Sequence, residues 1–174
     1  MAQVYIGIGS NIDPEIHIRK GIASLSNCFG PLELSTVYET RPVGLNGDNF
    51  YNLVVGFNTD LTPNSIVDAL RAIEDRFDRK RHECRHAPRN VDLDLLLYDD
   101  LVVNEDGLEL PRGDIIRYAF VLCPLAEIAG DMRHPVNRKR FADLWHTFDK
   151  TGQKLWPVDT PFVSLNHTGD HSDV

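Results

Sequence analysis

Two helix-start signals set the order of secondary structure in the first half of this sequence. Asp13-Pro14 and Thr62-Pro63 each place a capping residue directly before a proline, which is the composition preferred at a helix N-terminus. Apolar and β-branched strand patterns occupy residues 4–8, 32–39 and 50–59, and a fourth follows residue 90. The order strand, helix, strand, strand, helix, strand predicts an α+β fold of the ferredoxin-like βαββαβ type, a sandwich in which helices pack on a mainly antiparallel sheet.

Two kinds of signal locate the helices: a chain-breaking pair ends the first, and a single apolar stripe marks the second. The first helix is predicted over residues 13–27, since Gly30-Pro31 follows it. The second contains one stripe of apolar residues at helical spacing: Ile66, Leu70, Ile73 and Phe77. Further along the chain, the patterns predict a turn at Asp99-Asp100, a hairpin over residues 101–103 and 108–110, and short helices over residues 124–129 and 138–148.

The chemically most informative segment joins an arginine-rich loop to a strand that carries two aspartates. Residues 76–89 contain six of the 18 Lys and Arg residues of a chain whose net charge is −8. A cationic loop on an acidic protein favours a small anionic ligand over a nucleic-acid surface. In the strand that follows, Asp92 and Asp94 are two residues apart and therefore point to the same face. The opposite, buried face is predicted to consist of Val91, Leu93, Leu95 and Leu97.

Paired carboxylates beside arginines suit Mg²⁺ and a polyphosphate, because carboxylate oxygens bind the ion and guanidinium groups bind the remaining phosphate oxygens. Two simpler interpretations stay open: a solvent-exposed strand face and a solvated basic loop. Glu74 lies one turn before the loop, either at the edge of the site or in a surface pair with a neighbouring arginine. His82 and His86 have a spacing that binds zinc on a helix, but the surrounding composition predicts a loop.

Composition excludes several other classes of protein. The 174 residues are 42% hydrophobic, which is enough for one domain, predicted over residues 1–158 with a polar, disordered tail over residues 159–174. No apolar run approaches the ~18 residues that span a membrane, and no charged leader precedes the first strand. Cys28, Cys84 and Cys123 are far apart and odd in number, so a reduced, cytoplasmic protein is expected.

Four segments of the chain match one enzyme family in the same order. The longest is Arg85-x-Ala87-Pro88-Arg89-x-x-Asp92-Leu93-Asp94-Leu95-Leu96, and the others are Gly9-Ser10-Asn11, Tyr38-x-Thr40 and residues 120–129. Over residues 3–158 the chain resembles the 6-hydroxymethyl-7,8-dihydropterin pyrophosphokinases of folate biosynthesis. This resemblance implies Mg²⁺-dependent transfer of the pyrophosphate group of ATP to the hydroxymethyl group of a reduced pterin, with release of AMP.

The resemblance also implies roles for individual residues. Asp92 and Asp94 would hold two Mg²⁺ ions that bridge the triphosphate of ATP, the co-substrate. Arg79 and Arg89 would be the catalytic arginines that bind the transferring phosphates. The remaining ATP contacts would come from Glu74, Arg81, Arg85, Leu95 and Arg112. The pterin contacts would come from Phe50 and Phe120, which sandwich the ring, from Asn52 at its amide edge, and from the backbone near Thr40 and Val43.

Five positions depart from the family pattern. Arg112 stands where a histidine is usual, Tyr118 where an arginine is common, and His86 where well-known members have tryptophan. Gly107 and Glu109 replace basic or hydroxyl residues on the nucleotide side. Three alternatives follow: a working pyrophosphokinase with altered ATP binding, a divergent paralog that binds a related pterin with weak or no transfer, and a non-enzymatic Mg²⁺–nucleotide module. A monomer without nucleic-acid or membrane partners is expected.

Overall fold

The computed structural model describes residues 1–42, 47–78 and 90–159. Its strands are β1 (Ala2–Ser10), β2 (Glu33–Leu34), β3 (Tyr38–Thr40), β4 (Phe50–Thr59), β5 (Asp92–Tyr98), β6 (Val103–Glu105), β7 (Leu108–Leu110) and β8 (Leu155–Pro157). Its helices are α1 (Pro14–Phe29), α2 (Pro63–Phe77), α3 (Asp114–Arg117), α4 (Ala119–Ala129) and α5 (Phe141–His146). Within these three ranges, no helix has the length and apolar character needed to cross a membrane.

One main sheet organises the molecule, with the strand order β5–β1–β4–β3–β8, and β2 pairs with another part of β4. Every pairing in this sheet is antiparallel. The predicted ferredoxin-like arrangement is confirmed, because the last strand of the βαββαβ unit lies beside the first, and the third lies between the first and the second. β8 extends the sheet beyond this unit, and β6 and β7 form a separate hairpin.

The sheet is covered on both faces, so the protein has two apolar cores. α1 and α2 pack on one face, where the first core includes Ile6, Ile18 and Ile66. α4 and α5 pack on the other face, where the second core includes Tyr5 and Phe141. β1 contributes to both cores, since successive side chains of a strand point to opposite faces. The candidate site lies on the same face of the sheet as the second core, at the ends of β1, β4 and β5 that α4 does not cover.

A β-bulge corrects the predicted pattern of β5. Three residues of the predicted buried face do lie in the first core: Val91, Leu93 and Leu95. The register with β1 then shifts, and Leu96 is the extra residue on the β5 side. Leu96 and Leu97 consequently both lie in the second core. The prediction that Leu97 shares a face with Leu93 was wrong, because strand alternation does not hold across a bulge.

Both predicted helix starts are confirmed, but only one of them uses a side-chain cap. At the start of α2, Thr62 Oγ1 accepts a hydrogen bond from the backbone N–H of Ser65 at 3.2 Å. At the start of α1, the Asp13 carboxylate makes no capping bond, and the residue has left-handed backbone angles of φ 38° and ψ 55° instead of the extended angles usual for a cap. α1 also continues two residues past its predicted end and stops at Phe29.

The strand boundaries differ from the predictions in two places. The strand predicted over residues 32–39 is divided into β2 and β3. The first hairpin strand begins at Val103, two residues later than predicted. Asp106 and Gly107 form the hairpin turn with φ values of 52° and 79°, which is the conformation that two-residue hairpin loops require. The predicted turn at Asp99-Asp100 is confirmed.

The helices of the second face were the least predictable. α4 begins at Ala119 instead of residue 124, because a helix that is apolar around most of its surface shows no clear periodicity in the sequence. α5 covers only Phe141–His146 of the predicted residues 138–148. α3 and β8 are too short to leave a sequence pattern, and neither was predicted. The predicted polar tail lies outside the described residues from position 160 onward.

Replacing Thr62 with Ala should lower the free energy of unfolding by about 1 kcal/mol, because the change removes the acceptor of the Ser65 N–H group. Urea denaturation followed by circular dichroism measures this change. Thr62→Ser keeps the hydroxyl group and should retain most of the stability. An unchanged free energy of unfolding in Thr62→Ala would contradict a contribution from the cap.

Candidate active site

Two glycines in the central strand form the floor of a cleft. In β1, Gly9 lies opposite Asn52 of β4 on one side and Asp92 of β5 on the other. Gly7 lies opposite Asp94 of β5 in the same way. Residues directly opposite each other in antiparallel strands project from the same face. The amide and both carboxylates therefore flank a strip without side chains, and the cleft above it has a volume of about 370 Å³.

The two glycines differ in how closely their neighbours approach. A Cβ atom on Gly9 would lie 2.9 Å from Oδ1 of Asn52, which is closer than real Cβ contacts allow. A Cβ atom on Gly7 would meet only Leu96, at an ordinary distance of 3.5 Å. A side chain at position 9 would therefore displace the Asn52 amide, whereas Gly7 keeps the floor open. The sequence shows both glycines at the end of the first strand, but only the strand pairing reveals this use for them.

Aromatic rings from two elements line the cleft. Phe50 begins β4, Tyr118 directly precedes α4, and Phe120 lies in the first turn of α4. The rings of Tyr118 and Phe120 are stacked, with centroids 5.1 Å apart and planes inclined by 19°. All of the described residues that were predicted to contact a pterin or a metal ion border this one cleft: Thr40, Phe50, Asn52, Asp92, Asp94 and Phe120. Tyr118 and Asp114 also line it, although sequence reasoning gave Asp114 no role and placed Tyr118 on the nucleotide side.

Asn52 and Thr40 form a buried polar pair beside the aromatic rings. Their exposed fractions are 7% and 6%, and Nδ2 of Asn52 donates a hydrogen bond to Oγ1 of Thr40 at 3.1 Å. A primary amide provides two N–H donors and one carbonyl acceptor. The bond to Thr40 thus orients the amide without using its full hydrogen-bonding capacity, which suits recognition of a planar group that has adjacent donors and acceptors.

A hydrogen-bond network holds α4 against the sheet next to the cleft. Glu127 of α4 accepts hydrogen bonds from the Thr36 hydroxyl at 2.7 Å and from the Tyr38 hydroxyl at 2.9 Å. Burial, and then the hydrogen bond to Glu127, raises the pKa of Tyr38, so its phenol remains a donor. Tyr38 lies two residues before Thr40, and Glu127 lies two helical turns after Phe120. The network therefore joins the strand that carries Thr40 to the helix that carries Phe120.

The start of β5 is anchored by three hydrogen bonds at Asn90. Its side-chain Nδ2 donates to the Phe77 carbonyl at 2.8 Å, and its backbone N–H donates to the Asp78 carboxylate at 3.2 Å. Its own carbonyl accepts from the Ser10 hydroxyl at 2.6 Å. These bonds tie the ends of α2 and β1 to the residue two positions before Asp92, and so they hold the start of the carboxylate strand in place.

Arg112 lies between two aspartates at the edge of the cleft. Its Nη2 atom is 3.6 Å from Oδ1 of Asp94, and its Nε donates to Oδ2 of Asp114 at 3.0 Å. Burial disfavours the charged guanidinium, but attraction to Asp94 and the hydrogen bond to Asp114 outweigh burial and raise the pKa of Arg112. The Asp94 side chain is 44% exposed, so the ion pair contributes little to stability. Its effect is to place a permanent positive charge beside a carboxylate.

A second pocket shares Asp94 with the cleft. Its lining includes every described residue that was predicted to contact ATP, namely Glu74, Leu95 and Arg112. It also includes two further departures from the family pattern, Gly107 and Glu109. Glu74 is only 6% exposed, so its carboxylate is buried and does not lie on the open surface of α2. The burial of this carboxylate was not visible in the sequence, where Glu74 stands at the flank of the apolar stripe of α2.

Part of the predicted site lies outside the described residues. This applies to Arg79, Arg81, Arg85 and Arg89, to Val43, and to the departure at His86. In the part of the chain that the structure describes, no three His, Cys, Asp or Glu side chains are grouped closely enough to hold a metal ion by themselves. The pair Asp92 and Asp94 still fits Mg²⁺, which prefers carboxylate oxygens and usually completes its ligand set with phosphate oxygens and water.

Sequence comparison connects the chain with a known enzyme family. The family model described as 7,8-dihydro-6-hydroxymethylpterin-pyrophosphokinase matches residues 5–130. A 2-amino-4-hydroxy-6-hydroxymethyldihydropteridine pyrophosphokinase of Aquifex aeolicus is 36% identical over 141 residues, which cover 80% of this chain and 88% of that protein. The protein of the same name from Bacillus subtilis is 37% identical over 128 residues, which cover 71% of this chain and 76% of that protein.

A solved structure agrees with the fold. The crystal structure of Plasmodium falciparum HPPK-DHPS matches with a TM-score of 0.68 at 14% identity, over 84% of this chain and 43% of that chain. At this identity the likeness concerns the fold alone, and the chain spans less than half of the Plasmodium chain. The family match covers well over half of the sequence, and the two bacterial relatives exceed 30% identity over more than two thirds of it. The chain therefore belongs to the 7,8-dihydro-6-hydroxymethylpterin-pyrophosphokinase family.

Proposed function

We propose that this chain catalyses the Mg²⁺-dependent transfer of pyrophosphate from ATP to the hydroxymethyl group of 6-hydroxymethyl-7,8-dihydropterin, a step of folate biosynthesis that releases AMP. One observation carries the proposal: an aromatic–amide wall and a pair of carboxylates border the same cleft, on either side of the Gly7 and Gly9 floor. Family membership supports this choice of substrates. The two adjoining pockets offer each substrate a separate place beside the other.

The pterin is proposed to lie between Phe50 and Phe120. A flat heterocycle gains apolar burial and stacking when it lies between two rings. Asn52, oriented by its bond to Thr40, would recognise the edge of the ring where donors and acceptors alternate. In this proposal the backbone near Val43 completes the recognition of that edge. The stack of Tyr118 on Phe120 would extend the aromatic surface toward the outside of the cleft.

ATP is proposed to occupy the second pocket, with its phosphates directed toward Asp92 and Asp94. Mg²⁺ bound by these carboxylates would neutralise phosphate charge and keep the triphosphate in line for transfer. Arg112 would bind a phosphate oxygen, since its guanidinium lies at the junction between the two pockets through its contact with Asp94. Glu74 and Leu95 line the same pocket and would contact the nucleotide.

In the proposed reaction, the hydroxymethyl oxygen of the pterin attacks the β-phosphorus of ATP. A new P–O bond forms, the bond between the β-phosphorus and the oxygen of the α-phosphate breaks, and AMP leaves. The main contribution of the chain is position, because two substrates in adjoining pockets react as if the step were unimolecular. The loop arginines are proposed to stabilise charge on the transferring phosphates and to exclude water from the site: Arg79 and Arg89, with Arg81 and Arg85 assisting.

A divergent paralog that binds a pterin with weak or no transfer is the second candidate. It is favoured by two departures from the family pattern that contact proposed site residues. Arg112 pairs with Asp94, and Tyr118 stacks on Phe120. Glu109 also adds a negative charge to the lining of the second pocket, which is unfavourable for a triphosphate.

AMP formation separates these candidates. The purified chain is incubated with ATP, Mg²⁺ and 6-hydroxymethyl-7,8-dihydropterin, and AMP is measured by chromatography. AMP that appears only in the presence of the pterin supports the proposed transfer. Pterin binding without AMP supports the paralog. Nucleotide binding without pterin affinity would reject both in favour of a non-enzymatic nucleotide-binding module.

Asp92→Asn and Asp94→Asn should each lower turnover by about 10²-fold or more while the fold persists, because an amide cannot supply the anionic oxygen that Mg²⁺ prefers. Initial rates and thermal unfolding measure the two effects separately. Asp60→Asn is the matched control, since its side chain is 84% exposed at the other end of the sheet, and its turnover should not change. Lost stability with retained turnover in the Asp92 and Asp94 variants would assign them a structural role instead.

Gly9→Ala should weaken pterin binding about fivefold, because the new Cβ atom displaces the Asn52 amide and a hydrogen bond to a ligand contributes about 1 kcal/mol. Isothermal titration with the pterin measures the change. Gly7→Ala adds the same methyl group to the same floor but meets Leu96 at an ordinary distance, so a smaller loss is expected. Equal pterin affinity in Gly9→Ala and the unmodified chain would argue against recognition by Asn52.

Arg112→His should make ATP affinity depend on pH in a way that the unmodified chain does not. The guanidinium keeps its charge across the neutral range, whereas an imidazole is protonated only below about pH 6.5. ATP binding by the variant should therefore tighten, relative to the unmodified chain, as the pH falls from about 8 to about 6. The ratio of the two dissociation constants at each pH cancels the titration of ATP itself.

A ratio that stays constant with pH would exclude contact between position 112 and the phosphates. Tyr118 is left unchanged in this test because its ring stacks on Phe120, so a substitution there would alter the proposed pterin wall as well. Pterin affinity of Arg112→His, measured in parallel, should remain that of the unmodified chain, since Arg112 lines the second pocket.

A further inference from the structure

A side chain from the C-terminal segment bridges the junction between α3 and α4. Oε1 of Gln153 accepts a hydrogen bond from the backbone N–H of Ala119 at 2.9 Å, and Nε2 of Gln153 donates to the carbonyl of Arg117 at 3.1 Å. One side-chain amide therefore bonds the backbone on both sides of Tyr118. Gln153 lies 34 residues from Ala119 along the chain, so this pair of bonds, called the Gln153 clamp below, is a tertiary contact.

The start of α4 depends on this distant acceptor. Tyr118 has an extended backbone, with φ −120° and ψ 126°, and makes no capping bond with its side chain. The first N–H groups of a helix have no acceptor within the helix. Ala119 is only 2% exposed, so without Gln153 its N–H group would be buried without a partner, which is costly.

The same junction carries two of the aromatic rings that line the cleft, Tyr118 and Phe120, which are called the aromatic wall below. Tyr118 lies between the two clamped backbone groups, and Phe120 directly follows Ala119. Because the two rings are stacked on each other, a movement of the junction would shift both of them. A shift of the backbone that the Gln153 clamp holds would therefore move the ring that is proposed to cover one face of the pterin.

The segment that carries Gln153 also holds the strand that lies next to Phe50, the second ring of the proposed pterin sandwich, because Thr40 of β3 lies opposite Phe50 of β4. Two residues after Gln153 the chain enters β8, which pairs with β3 so that Leu155 lies opposite Thr40. Nε1 of Trp156 donates to the Glu39 carboxylate at 2.9 Å and strengthens this pairing. Residues 153–157 thus connect the strand that carries Thr40 to the helix start that carries Phe120.

We propose that Gln153 is a positioning residue that sets the distance between the start of α4, which carries Phe120, and the strand pair that carries Thr40 and Phe50, and thereby the affinity of the cleft for a flat ring. The inference rests on the proposed function for the identity of the ring, whereas the Gln153 clamp itself does not. Walls held at a fixed separation lose less freedom when a ring enters. Without the clamp, only a fraction of the molecules have the binding-competent separation. The apparent affinity then falls to that fraction of its full value.

Gln153→Met removes both hydrogen bonds with little change in side-chain volume. We expect 6-hydroxymethyl-7,8-dihydropterin to bind about tenfold more weakly, which corresponds to about one molecule in ten with the binding-competent separation. ATP affinity should not change, because the second pocket does not include the junction residues 117–120. Gln153→Glu keeps the acceptor for Ala119 but loses the donor for Arg117, so its pterin affinity should be intermediate.

Gln3→Met is the matched control. It makes the same chemical change in β1, where Gln3 pairs with Asn58 at the end of the sheet away from the cleft. Its pterin affinity should equal that of the unmodified chain. An equal loss of pterin and ATP affinity in Gln153→Met would overturn the proposal, since it would indicate general destabilisation.

Nuclear magnetic resonance of the ligand-free protein tests the Gln153 clamp without any substrate. In Gln153→Met the Ala119 amide should exchange faster with solvent, and the ring signals of Tyr118 and Phe120 should shift, while Gln3→Met should change neither. Unchanged exchange and ring signals in Gln153→Met would overturn the proposal. If the unmodified chain binds no pterin, the proposed function fails, but faster exchange together with shifted ring signals still supports control of the aromatic wall by Gln153.

Discussion

The pairing of β1 with β4 and β5 is the interaction on which the rest of the structure depends. It is antiparallel on both sides and places Gly9 between Asn52 and Asp92, residues that are distant in sequence. Neighbouring strands are only about 4.8 Å apart, so a central strand with glycine at positions 7 and 9 brings an amide and two carboxylates to opposite sides of a narrow floor. Ile6 and Ile8 of the same strand point to the other face and lie in the first core. Packing and the candidate site therefore use alternate residues of one strand.

The two faces of the sheet contribute differently to the protein. α1 and α2 cover the first face with a continuous apolar core. α4 and α5 cover the second face only in part, and the uncovered ends of β1, β4 and β5 form the cleft. The bulge at Leu96 turns Leu97 into the second core as well, which adds apolar contact on the face that α4 and α5 cover. Because most of the apolar burial lies away from the cleft, side chains that line the cleft can differ between relatives while the strand order stays the same.

The described departures from the family pattern show how such differences are accommodated. Arg112 has partners in Asp94 and Asp114, and Tyr118 has a partner in Phe120. Each of these two replacements therefore makes its own contacts at the cleft. Asn52 and Thr40, at which the family resemblance implies pterin contacts, form a buried hydrogen-bonded pair beside them. A guanidinium at position 112 keeps its charge at every physiological pH, unlike the histidine that is usual there. The pocket proposed for ATP thus differs in its electrostatics, and the cleft proposed for the pterin differs as well, because Tyr118 brings an uncharged ring where an arginine is common.

Local signals in the sequence determined the order of the elements in the βαββαβ unit and the direction in which two candidate site residues point. The period-two alternation of β5 predicted that Asp92 and Asp94 share a face, and the Thr62-Pro63 pair predicted the start of α2, because both effects act between near neighbours in the chain. The tertiary structure alone decided that Leu97 leaves the predicted face, that Glu74 is buried, and that Gln153 bonds the backbone beside Tyr118. It also decided what a side chain at position 9 would displace, since the Asn52 amide approaches Gly9 from across the sheet. Contacts between residues far apart in the chain leave no periodic pattern in the sequence, and they arise only when the folded chain brings those residues together.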